Sequence, residues 1–291
     1  GSIDVNGTAN LDVVDVDGLL TASAAIEING AAGASISEGM LIDWSTNLAR
    51  FLTYDSSSGS DIAFFTQPSG GSTTEALRIN STGNLIIQST GGTLQTATAG
   101  TSNLRLGVNA GNSIASGGNQ NTVIGDEAGT AITTGDSNVA FGYEALKNED
   151  AHGTNTALGT QSLFALNAGV DAHNVAVGFQ TGAAITTGIQ NTIMGGLAGD
   201  ALTDADFNTA VGHLALSTDT LGSKSTAIGY AALMDQNFTT ATDSFNTAVG
   251  HLAGENVTTG TLNTLIGGLS GDRLTSGNSN VAVGYGSLTT D

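Results

Sequence analysis

The segment Asn208-Thr209-Ala210-Val211-Gly212-His213-Leu214-Ala215-Leu216 decides the fold, because variants of it recur eleven times between residues 103 and 288. A close copy begins at Asn246 and reads Asn-Thr-Ala-Val-Gly-His-Leu-Ala-Gly. Self-similarity at a fixed period is typical of architectures in which each unit buries its apolar side only against its neighbours. The repeat therefore predicts a stacked, rod-like domain rather than a globular one.

The spacing of the copies predicts one coil of chain per copy. Most copies begin about 17 residues after the previous one, and only three intervals are longer. Each copy contains an apolar run that is too short for a helix and is bounded by glycine, which favours a strand. We expect a parallel β-solenoid or β-roll over residues 103–291, with rungs about 4.8 Å apart and a total length of roughly 50 Å. The copies begin at Asn103, Asn121, Asn138, Asn155, Asn174, Asn191, Asn208, Ser225, Asn246, Asn263 and Asn280.

A longer period of four copies is superimposed on the short repeat. The position that holds Leu216 in the quoted segment alternates between two glycines and two leucines along the chain. Four rungs thus form a larger module that is copied nearly three times. The occupants of the position are Gly111, Gly129, Leu146, Leu163, Gly182, Gly199, Leu216, Leu233, Gly254, Gly271 and Leu288.

The two faces of each predicted strand differ in size. One carries larger apolar residues such as Val211, which we expect to fill the inside of the coil, and the other carries mostly alanine. Because so short a coil is a poor independent core, we expect a homo-oligomer of three chains that meet through the small face. The predicted interface residues are Ala140, Ala157, Ala176, Ala210, Ala227, Ala248 and Ala282.

The recurring asparagine has two interpretations. It could contact a ligand, or it could stack its amide on the asparagine of the next rung and tolerate a left-handed turn. Recurrence through almost every rung favours a structural ladder. Its predicted members are Asn121, Asn138, Asn155, Asn174, Asn191, Asn208, Asn246, Asn263 and Asn280.

Aromatic residues share the repeat position that follows the glycine. Tyr143, Phe179, Tyr230 and Tyr285 occupy it in four rungs, and His213 and His251 occupy it in two others. Such a row could stack on the sugar rings of a glycan, or it could fill the groove between chains, which we favour.

Composition excludes several classes of partner. The formal net charge is −20, with 26 acidic and only six basic residues, so binding to nucleic acid or to an anionic membrane is not expected. The chain has no cysteine and no apolar run near the ~20 residues of a membrane span. A trimer would carry about −60 and should be stabilised by salt or bound cations.

The first hundred residues have a different texture. Apolar and acidic residues alternate in residues 1–35, which predicts a shaft segment of strands that end in tight turns. Within it, Asp15-Val16-Asp17-Gly18 partly matches a Ca²⁺ loop, although alternation alone explains its acids. Residues 36–87 hold most bulky core formers and predict a compact β module with a hairpin over 76–87. Residues 88–102 form a linking segment.

The sequence gives little support for any catalytic group. Neighbouring acids occur at Asp126 and Glu127, at Glu149 and Asp150, and at Asp204 and Asp206. We interpret them as solvated turn residues, since no pair recurs beside an aromatic platform as a glycosidase would need. The four histidines lack metal-ligand spacing, and no phosphate loop or cofactor motif is present. We therefore expect a protein that is not an enzyme and binds no cofactor.

The repeat, as at residues 208–216, resembles the head repeats of trimeric autotransporter adhesins, and its combination with residues 3–30 and 78–85 resembles bacteriophage tail fibres more closely. The resemblance implies a homotrimeric β-roll at the virion tail or an extracellular surface, which contacts other tail proteins and binds a glycan or protein receptor on a host. The alternatives are a bacterial trimeric adhesin or extracellular filament and, third, a polysaccharide-degrading tailspike. We also expect the chain to be part of a longer fibre.

Overall fold

The computed structural model describes residues 100–289 in full, and the backbone of residues 26–29, 38–45, 48–55, 62–66, 74–79 and 85–86. The chain divides into two compact units between Leu94 and Gln95, inside the predicted linking segment. The described residues contain strands, turns and bends but no helix, and therefore no helix that could cross a membrane. The all-β prediction is confirmed.

The described strands of the first unit form two antiparallel three-stranded sheets. One has the order β1-β2-β3, with β1 at Ile26–Asn29, β2 at Glu38–Ser45 and β3 at Leu48–Asp55. The other has the order β4-β5-β6, with β4 at Ile62–Thr66, β5 at Thr74–Ile79 and β6 at Leu85–Ile86. The predicted hairpin is present as the β5–β6 pair. The first two alternating segments of the predicted shaft, and the Asp15–Gly18 motif, lie outside the described residues.

The second unit is a parallel β-solenoid of eleven rungs, as predicted. One three-residue strand per rung contributes to an eleven-stranded parallel sheet, and the strands of adjacent rungs pair residue by residue. The strands are β7 (Leu104–Leu106), β8 (Thr122–Ile124), β9 (Val139–Phe141), β10 (Thr156–Leu158), β11 (Val175–Val177), β12 (Thr192–Met194), β13 (Thr209–Val211), β15 (Thr226–Ile228), β17 (Thr247–Val249), β18 (Thr264–Ile266) and β19 (Val281–Val283). Two further short strands, β14 (Gly222–Ser223) and β16 (Thr242–Asp243), pair in parallel within the spacers.

The glycine that ends each strand is required by the backbone. Gly212 has φ +139°, and a Cβ there would lie 2.2 Å from the carbonyl oxygen of Gly229 in the next rung. Only a residue without a side chain allows the chain to turn and the rungs to stack at this distance. The same positive φ recurs at the equivalent glycines from Gly107 to Gly284.

The orientation of the strand faces is the reverse of the prediction. The alanines expected at an interface point into the coil of their own chain, where Ala210 is 0% exposed and Ala282 is 5% exposed. The larger residues point outward instead, as Phe141 and Met194 do with 47% and 41% exposure. Ala140, Ala157, Ala176, Ala227 and Ala248 are likewise 0% exposed, so these residues are core and not interface.

The coil is filled from its other side, which explains the reversal. Leucine and isoleucine side chains from the turn that follows each strand are fully buried, including Leu146, Leu163, Ile132, Ile185 and Leu202. Because these side chains already fill the narrow coil, the strand can contribute only a small residue in most rungs.

Compensation of side-chain volume inside the coil accounts for the four-rung pattern of two glycines followed by two leucines. A Cβ on Gly199 would lie 3.0 Å from Cδ1 of Ile193, the larger inward residue of the same rung. A Cβ on Gly182 would lie 3.2 Å from Cδ2 of Leu163, which reaches over from the preceding rung. Each glycine therefore leaves space for a neighbouring side chain. Which residues fill the interior of a rung thus depends on the place of that rung in the four-rung module.

Candidate binding surface

The outward face of the parallel sheet is apolar and carries no charge. Each strand of that sheet turns its first and third residues outward, and these are threonine, valine or another apolar residue, with no acidic or basic side chain at either position in the eleven strands. In a chain of net charge −20, this segregation leaves an uncharged strip. At about 50 Å by 10 Å, it covers roughly 500 Å², the upper range of what a monomer normally leaves exposed.

A hydrogen-bonded ladder of asparagines lies along one edge of this sheet. The backbone N–H of Asn208 donates to Oδ1 of Asn191 at 2.9 Å, and Nδ2 of Asn208 donates to the carbonyl oxygen of Gly222 at 2.9 Å. Equivalent Asn-to-Asn bonds connect the rungs from Asn103 to Asn208 and from Asn246 to Asn280. Up to Asn263 the asparagines are buried, and each one satisfies backbone groups that neither the sheet nor water reaches.

The ladder is repaired by other side chains at the one rung that lacks asparagine. Ser225 replaces the amide, and the backbone N–H of Asn246 donates instead to Oγ of Ser244 at 3.3 Å. Nε2 of the buried Gln236 donates to Oγ of Ser225 at 2.8 Å, and its Oε1 accepts from Nδ2 of Asn246 at 2.8 Å. The repair occurs at the longest interval of the repeat, between Ser225 and Asn246.

The predicted aromatic row forms an exposed column beside the uncharged strip. Tyr143, Phe179, Tyr230 and Tyr285 all lie at the surface, with exposures from 47% to 82%. The ring of Tyr230 stacks between His213 and His251, with centroid separations of 5.8 and 5.2 Å and interplanar angles of 9° and 15°. The two histidines thus belong to the same surface as the predicted aromatics.

The N-terminal end of this column lies beside a charged cluster. Nζ of Lys147 pairs with Oε1 of Glu144 at 2.7 Å and also contacts Glu127, while Nε2 of Gln161 donates to Oε2 of Glu144 at 2.8 Å. The hydrogen bond from Lys147 holds the pKa of Glu144 below its usual value. The charge of Glu144 in turn raises the pKa of the neighbouring Tyr143, whose phenol stays neutral at physiological pH.

Glu149 is buried, which corrects the prediction that it is a solvated turn acid. Its carboxylate accepts hydrogen bonds from the backbone N–H of His152 at 3.2 Å and of Ala168 at 3.4 Å. Asp219 occupies the same position in the next module, and accepts from the backbone of Gly222 at 3.1 Å and of Phe238 at 2.9 Å. Burial raises the pKa of both carboxyls.

Both acids accept hydrogen bonds from backbone N–H groups next to or within the longer spacers. Each stands shortly after the first leucine of its module, and it accepts one N–H from its own turn and one from the spacer of the next rung. The spacer that follows the second leucine is the one with extra residues. We interpret the buried carboxylates as the acceptors that satisfy the backbone of these longer loops.

One cluster of possible metal ligands was not predicted from the spacing of the histidines. Ligand atoms of Glu149, Asp150 and His152 lie within 4.8 Å of one another, and Nδ1 of His152 lies 3.5 Å from Oε1 of Glu149. These three groups are of types that bind divalent cations. The carboxylate of Glu149 is engaged by backbone donors, whereas the buried Nδ1 of His152 makes no hydrogen bond among the described residues.

Comparison with known proteins adds no relative: no family model, no curated protein and no solved structure matches this chain.

Proposed function

We propose that this chain is a non-enzymatic structural and adhesive fibre, a homotrimeric segment of a bacteriophage tail fibre that attaches to a receptor on the host-cell surface. The observation that carries the proposal is the uncharged outer strip of an eleven-rung solenoid in a chain of strongly acidic composition. A rigid solenoid supplies reach, and a continuous strip along it suits self-association.

The strip favours a second copy of the chain as its partner. Its residues recur at rung spacing, so identical chains aligned in parallel would place like residues at the same height. No outward position of the eleven strands holds an acid, so the strip itself can be covered without burying unpaired charge. Exposed side chains such as Met194 and Ile228, 41% and 38% exposed, are then the contact residues in place of the alanines.

A receptor-attachment role is supported by the aromatic column and by the resemblance of the repeat to tail fibres. Exposed aromatic rings are frequent at binding surfaces because they bury large area with few rotatable bonds. We propose that the column contacts the host receptor and that other tail proteins hold the fibre on the virion.

Sedimentation velocity on outward-face variants tests the proposal. Met194→Asp and Ile228→Asp should dissociate the trimer, because burying an unpaired carboxylate costs several kcal/mol, about 3 or more. Circular dichroism should remain that of the wild type, since both side chains point out of the coil. Val170→Asp, on an exposed spacer, is the matched control.

A wild-type chain that sediments as a monomer would overturn the assembly, and so would variants that remain trimeric. Attachment is tested separately by binding of the labelled fibre to candidate host cells. A trimer that binds none of the cells its phage infects would overturn the receptor role.

A further inference from the structure

The aromatic column alternates between rings and small residues in a way that its structural role does not require. In rungs three, five, seven, nine and eleven, a ring follows the strand glycine. Among the even rungs between them, Tyr230 alone carries a ring, and the others carry Thr160, Gly196 and Gly268. The ring-bearing positions of the odd rungs are Tyr143, Phe179, His213, His251 and Tyr285.

Tyr230 shows what the space between two odd-rung residues can hold. Two rungs span about 10 Å, and the tyrosine ring lies between His213 and His251 nearly parallel to both. The two centroid distances, 5.8 and 5.2 Å, fall within the range for stacked rings. A gap of two rungs therefore accepts one ring, stacked on both faces.

Gly196 and Gly268 leave the same gap without a side chain, and the backbone does not demand glycine at either position. Neither has the positive φ of the adjacent Gly195 or Gly267. A Cβ on Gly196 would meet Cδ2 of His213 at 3.6 Å, and one on Gly268 would meet Cδ2 of Tyr285 at 3.4 Å, both ordinary contacts. A Cβ would thus be accepted at both positions, so the backbone does not require glycine, and neither residue places a side chain of its own between the flanking rings.

We propose that these two gaps are slots that each bind one pyranose ring of a neutral glycan. The first slot lies between Phe179 and His213 over Gly196, and the second lies between His251 and Tyr285 over Gly268. The proposal rests on the receptor-attachment function proposed above and names the chemical class of the receptor.

The chemistry of the slots favours a sugar over other rings. The C–H faces of a pyranose stack on aromatic rings as apolar groups do, while its hydroxyls point out of the slot towards water. Each slot has one histidine, whose ring nitrogens can donate to or accept from a hydroxyl. The net charge of −20 disfavours acidic sugars, so the ligand is neutral.

The two slots are four rungs apart, about 19 Å, because they occupy equivalent rungs of successive modules. A repeating polysaccharide can occupy both, and the second binding event is then intramolecular. Modest affinity per slot would be raised by this arrangement along the fibre.

Variants that fill or open the slots test the proposal. Gly196→Tyr and Gly268→Tyr together should reproduce the internal stack of Tyr230 and abolish binding to an array of neutral hexose and N-acetylhexosamine oligosaccharides. Tyr230→Gly should open a third slot between His213 and His251 and raise the calorimetric stoichiometry from two to three rings per chain. Val170→Tyr adds the same ring on an exposed spacer outside the column and should bind as the wild type does.

We expect the filled double variant to lose at least about tenfold in affinity, equivalent to about 1.4 kcal/mol. Sedimentation should show an unchanged oligomeric state for all variants. The proposal is overturned if the filled variant binds the same oligosaccharides as tightly as the wild type, if sialylated glycans are preferred, or if the added tyrosines change assembly, which would place the column in the groove between chains.

The slots and the attachment function fail in different ways. If the wild type binds host cells and the filled variant binds them equally, the slots are wrong and the receptor role stands. If the wild type binds neither cells nor array, the attachment function itself is wrong.

Discussion

Asn191→Ala should destabilise the middle of the solenoid far more than a typical single substitution. The side chain of Asn191 is fully buried. Its Oδ1 accepts from the backbone N–H of Asn208 at 2.9 Å, and its Nδ2 donates to the carbonyl oxygen of Ala205 at 2.7 Å. Removing the amide leaves both backbone groups without a partner. At about 1–3 kcal/mol for each buried unsatisfied group, the free energy of unfolding should fall by about 2–6 kcal/mol.

Two other asparagines provide matched controls. Asn280 stands in the last described rung, where its Oδ1 accepts no hydrogen bond from the described residues, so Asn280→Ala should cost less than about 1.5 kcal/mol. Asn167 is exposed, and its side chain makes no hydrogen bond within residues 100–289, so its replacement by alanine should be nearly neutral.

Urea unfolding measures the three variants at one fixed protein concentration, since association would otherwise shift the midpoint. Hydrogen exchange should locate the loss at the amide of Asn208 and in the rungs beside it, because stability in a solenoid is a sum of nearest-neighbour terms. The reasoning is refuted if Asn191→Ala lies within about 0.5 kcal/mol of Asn280→Ala, the ordinary range of a surface substitution.

Three more outcomes follow from the described geometry. Gly212→Ala should cost at least about 3 kcal/mol, since the residue needs φ +139° and its Cβ would meet a carbonyl oxygen at 2.2 Å, whereas Gly196→Ala should be tolerated; thermal unfolding compares the two. Ala210→Leu should lower stability by about 1–3 kcal/mol through overpacking but leave the sedimentation of the assembly unchanged. If the variant dissociates instead, Ala210 lies at an interface between chains. Burial raises the folded-state pKa of Asp219 above its usual value, so the stability that this carboxyl contributes is present at low pH and lost as pH rises through its folded pKa. Thermal melting curves from about pH 4 to pH 8 should therefore show that the stability of Asp219→Asn rises relative to that of the wild type as pH rises. A stability difference that does not change with pH would contradict the raised pKa of Asp219.

The period of the repeat was sufficient to predict the solenoid, because short copies at a fixed spacing, each with a glycine-bounded apolar run, leave no other regular structure. The asparagine ladder could also be anticipated, since a buried amide at rung spacing has the next amide as its neighbour. The orientation of the strand faces was predicted wrongly. Strand alternation says that Ala210 and Val211 point to opposite sides, but not which side is inside.

A signal for the correct orientation is present in the sequence. The larger inward residues Val123, Ile193 and Leu265 occur in rungs whose later position is glycine, while rungs with leucine there have alanine in the strand. Such compensation of volume occurs only between residues that share one packed interior. The exposed row shows no such correlation.

The buried acids could not be recognised from local patterns. Glu149 and Asp219 look like turn residues, and their burial depends on N–H groups that come from the spacer of the following rung. Their recurrence one module apart, at a position that holds isoleucine or leucine in many other rungs, was the available clue. Asp291 takes the same position in the third module, outside the described residues.

Volume compensation between rungs has a consequence for how the solenoid can change length. Removing one rung would break the order of two glycine rungs followed by two leucine rungs. Removing a whole four-rung module would join rungs that already fit, as Asn138 and Asn208 begin equivalent coils. Recombination between modules can therefore shorten or extend the solenoid in steps of about 19 Å, four rungs at a time. Each step adds or removes one complete set of surface positions, so the length of the solenoid and the number of its exposed aromatic positions change together.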